Sequence, residues 1–311
     1  MFIIKIIIGG ILVLSTIAKY QKAFNSLVDR LKANDSVLAA MVFGSIVTGD
    51  LWEGSDIDLF VISKDNIKDI RNIYTEEKGV PVHIKLMSKE SLLELHKGEV
   101  IGGFIHRVFV SSRLVFSKDE EVTARYDLGR YYPDIDREKW NMVYLGDLIK
   151  SISVCKKYLY NNGIYMAYSY AVRCIEDFSK VYINSSGYMI SKDVMTMAIN
   201  LNDELKKLTD DLFFASKEET YGVIQNILVF IEETIEKNLK KYVSLLLGYM
   251  KEKDCFLSSE DMKKDDFFKG FKIDFEGILS KLWEKGIVKK ESREYKDELN
   301  NLLFREKVYF I

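Results

Sequence analysis

Hydrophobic and polar positions along this chain follow two periods, and the switches between them outline the elements. From Tyr20 to Ala33, Phe24, Leu27, Val28 and Leu31 recur at spacings of three and four, which predicts a helix. Asp35-Ser36 breaks that pattern, and the apolar run Val37 to Phe43 predicts a strand. A glycine-punctuated stretch follows, then a second apolar strand reaching Ile62. Ser63-Lys64-Asp65-Asn66 has the composition of a helix start, so a helix is predicted to about Glu77, closed by Gly79. Val80 to Met87 alternates: Val80, Val82, Ile84 and Leu86 fall on one face, Pro81, His83, Lys85 and Met87 on the other. Ser88 is placed to cap a short helix through Leu95, and Phe104 to Phe116 is predicted as one or two strands broken near Ser111-Ser112.

The period changes after Gly129 to Pro133. Helical spacing then dominates, with helices predicted over 140–160, 164–183, 192–199 and 204–214 and a long one from Glu218. Short loops between long helices imply an antiparallel bundle. The last seventy or so residues differ again: charged cap segments, a helix from Phe275 to Lys285, Gly286, a strand starting at Ile287-Val288 and a partner near Lys307 to Ile311. That order resembles a winged-helix module. The expected organisation is an apolar segment 1–19, an α+β domain 20–130 with a mixed sheet, a helical bundle 131–243 and a small winged-helix-like domain 244–311.

The chemistry concentrates in the glycine-punctuated stretch. Asp56 and Asp58 stand two apart at a strand, so both project to one face while Ile57, Leu59 and Val61 pack behind them. Carboxylates held side by side repel unless a cation lies between them, and hard oxygen ligands of this kind suit Mg²⁺ together with substrate phosphates. Gly44-Ser45, just after the first strand, offers backbone N–H groups and a hydroxyl to those phosphates. Gly-Ser, about ten residues, then Asp-hydrophobic-Asp resembles the signature of the nucleotidyltransferase superfamily related to DNA polymerase β. The nearer likeness is to its minimal and kanamycin nucleotidyltransferase-like members, and it covers roughly the first 120 residues. The helical region is similar in order and size to the second domain of the antibiotic-modifying members and to HEPN domains.

The resemblance implies transfer of a nucleoside monophosphate, AMP in most members, from a triphosphate to a hydroxyl acceptor. It implies Mg²⁺ on Asp56 and Asp58, and β- and γ-phosphates on Gly44 and Ser45, with Thr48 and Ser55 beside them. ATP is the expected nucleotide. The superfamily pattern places a third carboxylate on the neighbouring strand, and Val80-Pro81-Val82-His83-Ile84-Lys85-Leu86 has none. His83 takes that place as a base or ligand, with Lys85 able to neutralise phosphate. Glu176 or Asp177 is an alternative base in the helical region. A different class stays open: a non-catalytic nucleotide-binding regulator that contacts DNA or a protein through its C-terminal module. A HEPN-type ribonuclease is excluded, because every histidine lies at or before His106.

Composition adjusts this picture in few places. A chain of 311 residues is long enough for two or three domains, and 48% apolar with 30% charged residues is ordinary for a globular protein. A net charge of −2 argues against a strongly basic nucleic-acid binder. Cys155, Cys174 and Cys255 have no metal-ligand spacing and imply a reducing compartment. Phe2 to Ala18 is almost wholly apolar, short for a membrane span and without a clear cleavage site. A membrane role is therefore not expected, and a site that consumes triphosphate points to the cytoplasm. The tyrosines at 131, 132, 158, 160, 165, 168 and 170 are read as semi-buried core, and His96 and His106 as ordinary surface or packed residues.

Overall fold

The computed structural model describes residues 2–94 and 102–311, with side chains omitted for 2–15, 104 and 105. Two compact units emerge, 1–131 and 132–311.

In the first unit, α1 (Phe2–Ala33) is followed by β1 (Val37–Phe43), the single-turn α2 (Ser45–Thr48), β2 (Ile57–Ser63), β3 (Arg71–Glu77) and β4 (Val80–Ser88). Then come α3 (Lys89–Glu94), α4 (Phe104–Ser111), β5 (Arg113–Ser117) and α5 (Glu120–Leu128). The strands form one mixed sheet in the order β3-β4-β2-β1-β5. β1 is antiparallel to both β2 and β5, β2 is parallel to β4, and β3 closes the edge antiparallel to β4.

Alternation along the strands, broken by irregularities in β1, gives the sheet two covered faces. Tyr20, Ala23 and Leu27 of α1 pack against Ile57, Leu59, Val61, Val80 and Val82 on one of them. Leu92, Phe109, Val122 and Tyr126 from α3, α4 and α5 cover Met41, Phe60, Ile62 and Met87 on the other. Each such strand residue contributes about 1.5–3 kcal/mol by leaving water. Glu77, at the end of β3, accepts from Ser26 at 2.9 Å and pairs with Arg30 at 2.7 Å, which ties the edge strand to α1.

Two local predictions are corrected. Residues 71–77 form a strand, not the end of a helix, because Lys78 and Gly79 turn the chain back with φ of 50° and 75° and pair it with β4. Residues 104–111 form helix α4 rather than strand, and the break near Ser112 separates it from β5. The apolar N-terminus is continuous with α1. The Ser88 hydroxyl accepts the Ser91 N–H at 3.0 Å and starts α3. Leu95 and His96 lie outside the described residues.

The second unit holds α6 (Asp134–Tyr160), α7 (Ile164–Ser185), α8 (Val194–Leu201), α9 (Asp203–Phe213), α10 (Thr220–Tyr242) and α11 (Ser244–Lys253). These are followed by α12 (Ser259–Lys264), a 3-10 turn (Asp266–Phe268), α13 (Phe275–Glu284) and the hairpin β6 (Lys289–Lys296) and β7 (Leu302–Phe310). Caps mark the starts: Asn202 accepts from Leu205, and Ser258 and Asp261 close a reciprocal capping box. One apolar cluster runs from Met142 and Phe178 through Ile231 and Leu246 to Phe275, Leu282 and Tyr309. Residues of 257–309 thus share a core with the bundle. Leu257 also bridges to Tyr309 beside the hairpin. Among the described residues no helix is long and apolar enough to cross a membrane.

Candidate active site

β1 ends at Phe43, and Gly44 at φ 75° swings the chain into α2. The Gly44 carbonyl accepts from Val47 at 3.0 Å and Thr48 at 3.2 Å, so the turn is tight. The N–H groups of Ser45 and Ile46, in its first turn, have no intrahelical acceptor to use. Glycine is required here twice over. The backbone is left-handed, and a Cβ would lie 2.5 Å from Asp58 Oδ2. The loop therefore rides directly over the Asp58 carboxylate.

β1 and β2 run antiparallel with Phe43 opposite Asp58, and the parallel β2–β4 register sets Asp58 opposite His83. Asp58 and His83 share the sheet face that carries Phe60 and Met87, at its uncovered end. Asp56 precedes β2 and is exposed, whereas Asp58 is partly buried. His83 Nδ1 lies 3.1 Å from Asp58 Oδ1, and Nε2 lies 3.0 Å from Asn72 Oδ1. Lys85 Nζ donates to that same Asn72 atom at 2.9 Å, which identifies it as the amide oxygen. His83 Nε2 therefore carries a hydrogen, and one proton lies between Nδ1 and the Asp58 carboxyl, an assignment that follows from the hydrogen-bond network. Tyr74 stacks on the imidazole with centroids 4.6 Å apart and holds its plane.

Burial pushes the Asp58 carboxyl above the usual carboxylate range; its bond to His83 opposes this and the Asp56 charge adds to it. Asp56 and Asp58 are the hard oxygen donors here that could hold a divalent cation such as Mg²⁺. Among the described residues no group of three His, Cys, Asp or Glu side chains is arranged to hold a metal ion, so no third carboxylate completes the set.

The remaining predicted residues fall in different places. The Thr48 hydroxyl bonds to Asp50 and reaches back to the Gly44 carbonyl at 3.3 Å. Ser55 is buried; its hydroxyl accepts the Trp52 N–H at 3.1 Å, and its carbonyl accepts the Tyr20 hydroxyl. Ser55 thus shapes the loop that leads into Asp56. Asp177 lies in the second unit, buried, accepting from Ser151 at 2.8 Å and Lys180 at 3.1 Å, while Glu176 pairs with Lys180 on the surface. His106 is a packed residue whose Nδ1 accepts the Gly102 N–H at 3.0 Å. Asn72 and Tyr74 were missed by sequence reasoning, since their strand was predicted as helix. The signal that could have found them is the Lys78-Gly79 turn before an alternating strand.

A mixed sheet with a Gly-Ser turn poised over Asp58, and Asp56 just before the same strand, is the arrangement of a nucleotidyltransferase-type domain. Residues 25–121 match the family model described as "Polymerase beta, Nucleotidyltransferase", so this segment is a domain of the nucleotidyltransferase superfamily. The fold is similar to the crystal structure of a nucleotidyltransferase-like protein from Exiguobacterium sibiricum 255-15. The TM-score is 0.63 at 14% identity, covering 94% of this chain and 99% of that one. Comparison with curated proteins returns no match.

Proposed function

We propose that the first unit transfers a nucleoside monophosphate, AMP from ATP, to a hydroxyl acceptor in a Mg²⁺-dependent reaction. The observation that supports this most is the close approach of Gly44 to the Asp58 carboxylate, with His83 on its other oxygen. Asp56 and Asp58 would hold the cation, which supplies charge to the triphosphate when bound. Gly44, Ser45 and Thr48 would take its β- and γ-phosphates on the turn at the start of α2. The acceptor oxygen attacks the α-phosphorus, its bond to the bridging oxygen breaks, and pyrophosphate leaves with those electrons. His83 orients Asp58 through Nδ1; once Asp58 holds the cation and the shared proton has left to solvent, that nitrogen would be open to take the acceptor proton. Lys85, anchored on Asn72, adds positive charge on the same face.

A second reading is favoured by the absence of a third carboxylate among the described residues. In it the domain binds nucleotide without turnover, and the C-terminal segment 244–311, expected from its sequence order to be winged-helix-like, contacts DNA or a protein. Incubation of the full chain with each labelled triphosphate, with and without Mg²⁺, against a cell extract separates the two. The transferase reading expects label moved to an acceptor from ATP, only with Mg²⁺. It also expects His83→Ala to slow transfer by roughly a hundredfold or more with nucleotide affinity little changed. Binding with no label transfer from any triphosphate would leave the regulatory reading.

A further inference from the structure

Arg125, in the last turn of α5, is only 8% exposed, and its Nε and Nη1 are buried with no hydrogen-bond partner. Its one described neighbour of note is the Phe109 ring, 6.0 Å from the guanidinium carbon. Burial without an opposing carboxylate lowers its pKa below the ordinary arginine range. A buried cation with no carboxylate or hydrogen-bond partner at these nitrogens is costly, because the Phe109 ring offsets little of the desolvation. A buried group of this kind calls for an explanation, and a bound anion is one.

The place of Arg125 in the sheet says what kind of partner that is. α5 begins at Asp119, beside the end of β5, and runs back so that the Tyr126 hydroxyl donates to the Ser112 carbonyl at 2.8 Å and accepts the Leu114 N–H at 3.2 Å. Ser112 and Leu114 stand at the start of β5, which pairs there with Met41 and Val42 of β1. The C-terminal turn of α5 therefore lies at the sheet end from which Gly44 emerges and where Asp58 sits opposite Phe43. It is also on the same face. Phe43 packs on Phe60 at 4.8 Å, Phe60 on Phe109 at 5.9 Å, and Phe109 lies under the guanidinium. Gly129 leaves room beside the group, since a Cβ there would come within 3.0 Å of Nη1. Arg130, stacked over Tyr126 at 5.5 Å, adds a second positive charge one turn on.

We infer that Arg125 is the centre of a phosphate-binding subsite at the β5 side of the site, taking a phosphate group of the ligand that Gly44 and the two aspartates face. The choice of phosphate rests on the nucleotidyl-transfer reading above; the need for an anion rests on Arg125 alone. Guanidinium–phosphate contacts are charge-assisted and strong once desolvated. A bound anion also removes the penalty of the buried charge, so binding and fold stability are linked.

The test is thermal unfolding of the full chain in inorganic phosphate without divalent metal, against sodium chloride of equal ionic strength. Wild type, Asp56→Asn with Asp58→Asn, Arg125→Met and Arg125→Lys are compared. The inference expects phosphate to raise the wild-type Tm beyond the chloride control, and the double aspartate variant to keep that rise. Arg125→Met should lose the rise while melting no lower than wild type in chloride, and Arg125→Lys should keep part of it. Equal phosphate response in wild type and Arg125→Met, no response in wild type, or a lower Tm of Arg125→Met in chloride each overturns the inference. Should Arg125→Met not fold, a reduced response in Arg125→Lys with its chloride Tm preserved supports the inference, and an undiminished response in Arg125→Lys overturns it. Failure of the nucleotidyl reading shows separately, as loss of Mg²⁺-triphosphate binding to the aspartates with the phosphate response intact.

Discussion

Asp58 is held between opposing influences. Burial raises its pKa above 3.8, His83 bonding lowers it, and the neighbouring Asp56 charge raises it again, with a net upward shift. Above the ordinary carboxylate pKa the native state therefore holds this proton more tightly than the unfolded chain does. Stability falls as pH rises through the window between the two values, and the cost remains at neutral pH. Asp58→Asn removes it while keeping a hydrogen-bond partner for His83. In chelator, this variant is expected to melt above wild type at pH 7, with the two curves converging as pH falls to the ordinary carboxylate range. A variant that melts lower than wild type at pH 7 would show that the His83 bond outweighs burial.

At the level of elements, β3 shows how the fold uses an exposed edge. Six of its seven residues are exposed, and its inner neighbours come from pairing with β4 rather than from its own apolar content. The turn that makes this pairing carries Lys78 at φ 50°, a left-handed conformation that costs a lysine on the order of 1 kcal/mol. Asn-Gly is the preferred pair for such a turn. Lys78→Asn is therefore expected to raise stability by on the order of 0.5–1 kcal/mol, read as a shift in urea midpoint with an unchanged slope. No shift, or a lower midpoint, would mean that the Lys78 side chain stabilises the turn by other contacts. The same element marks the limit of what periodicity reveals. β1, β2 and β4 were legible because buried strands are apolar or strictly alternating, and their ends were placed nearly to the residue. β3 was not, because Ile67, Ile70, Ile73 and Tyr74 recur at helical spacing and a solvent-facing edge strand has no buried face to impose alternation. α4 was missed for a different reason: Phe104-Ile105 and Val108-Phe109-Val110, split by His106-Arg107, make a segment too short for period to separate a helix from a strand.

Across the molecule, each unit has its own core, and the second is joined internally by polar contacts as well. Asp265 links α11 to the segment before α13: Lys253 and the Phe267 N–H, with the Tyr249 hydroxyl, hold its carboxyl down to about 2. A depressed pKa contributes stability above the ordinary carboxylate value, and that contribution is lost as pH falls through about 2. Asp265→Asn should lower the Tm at pH 7 and approach wild type in strong acid; a constant difference at every pH would assign the effect to packing instead. In the first unit the turn at Gly44-Ser45 and the face of Asp58 were legible, since a strand's period fixes which residues share a face, whereas Asp56 falls just before β2. The Asn72–His83–Asp58 chain was not legible, because it depends on a strand pairing that spacing does not encode. Asp56 and Asp58 are the proposed seat of Mg²⁺ and triphosphate. Calorimetric titration of ATP with Mg²⁺ into wild type and into Asp56→Asn with Asp58→Asn checks this most directly. Metal-dependent binding is expected in wild type and none in a double variant that melts no lower than wild type, whereas equal affinity in the two proteins would contradict the assignment.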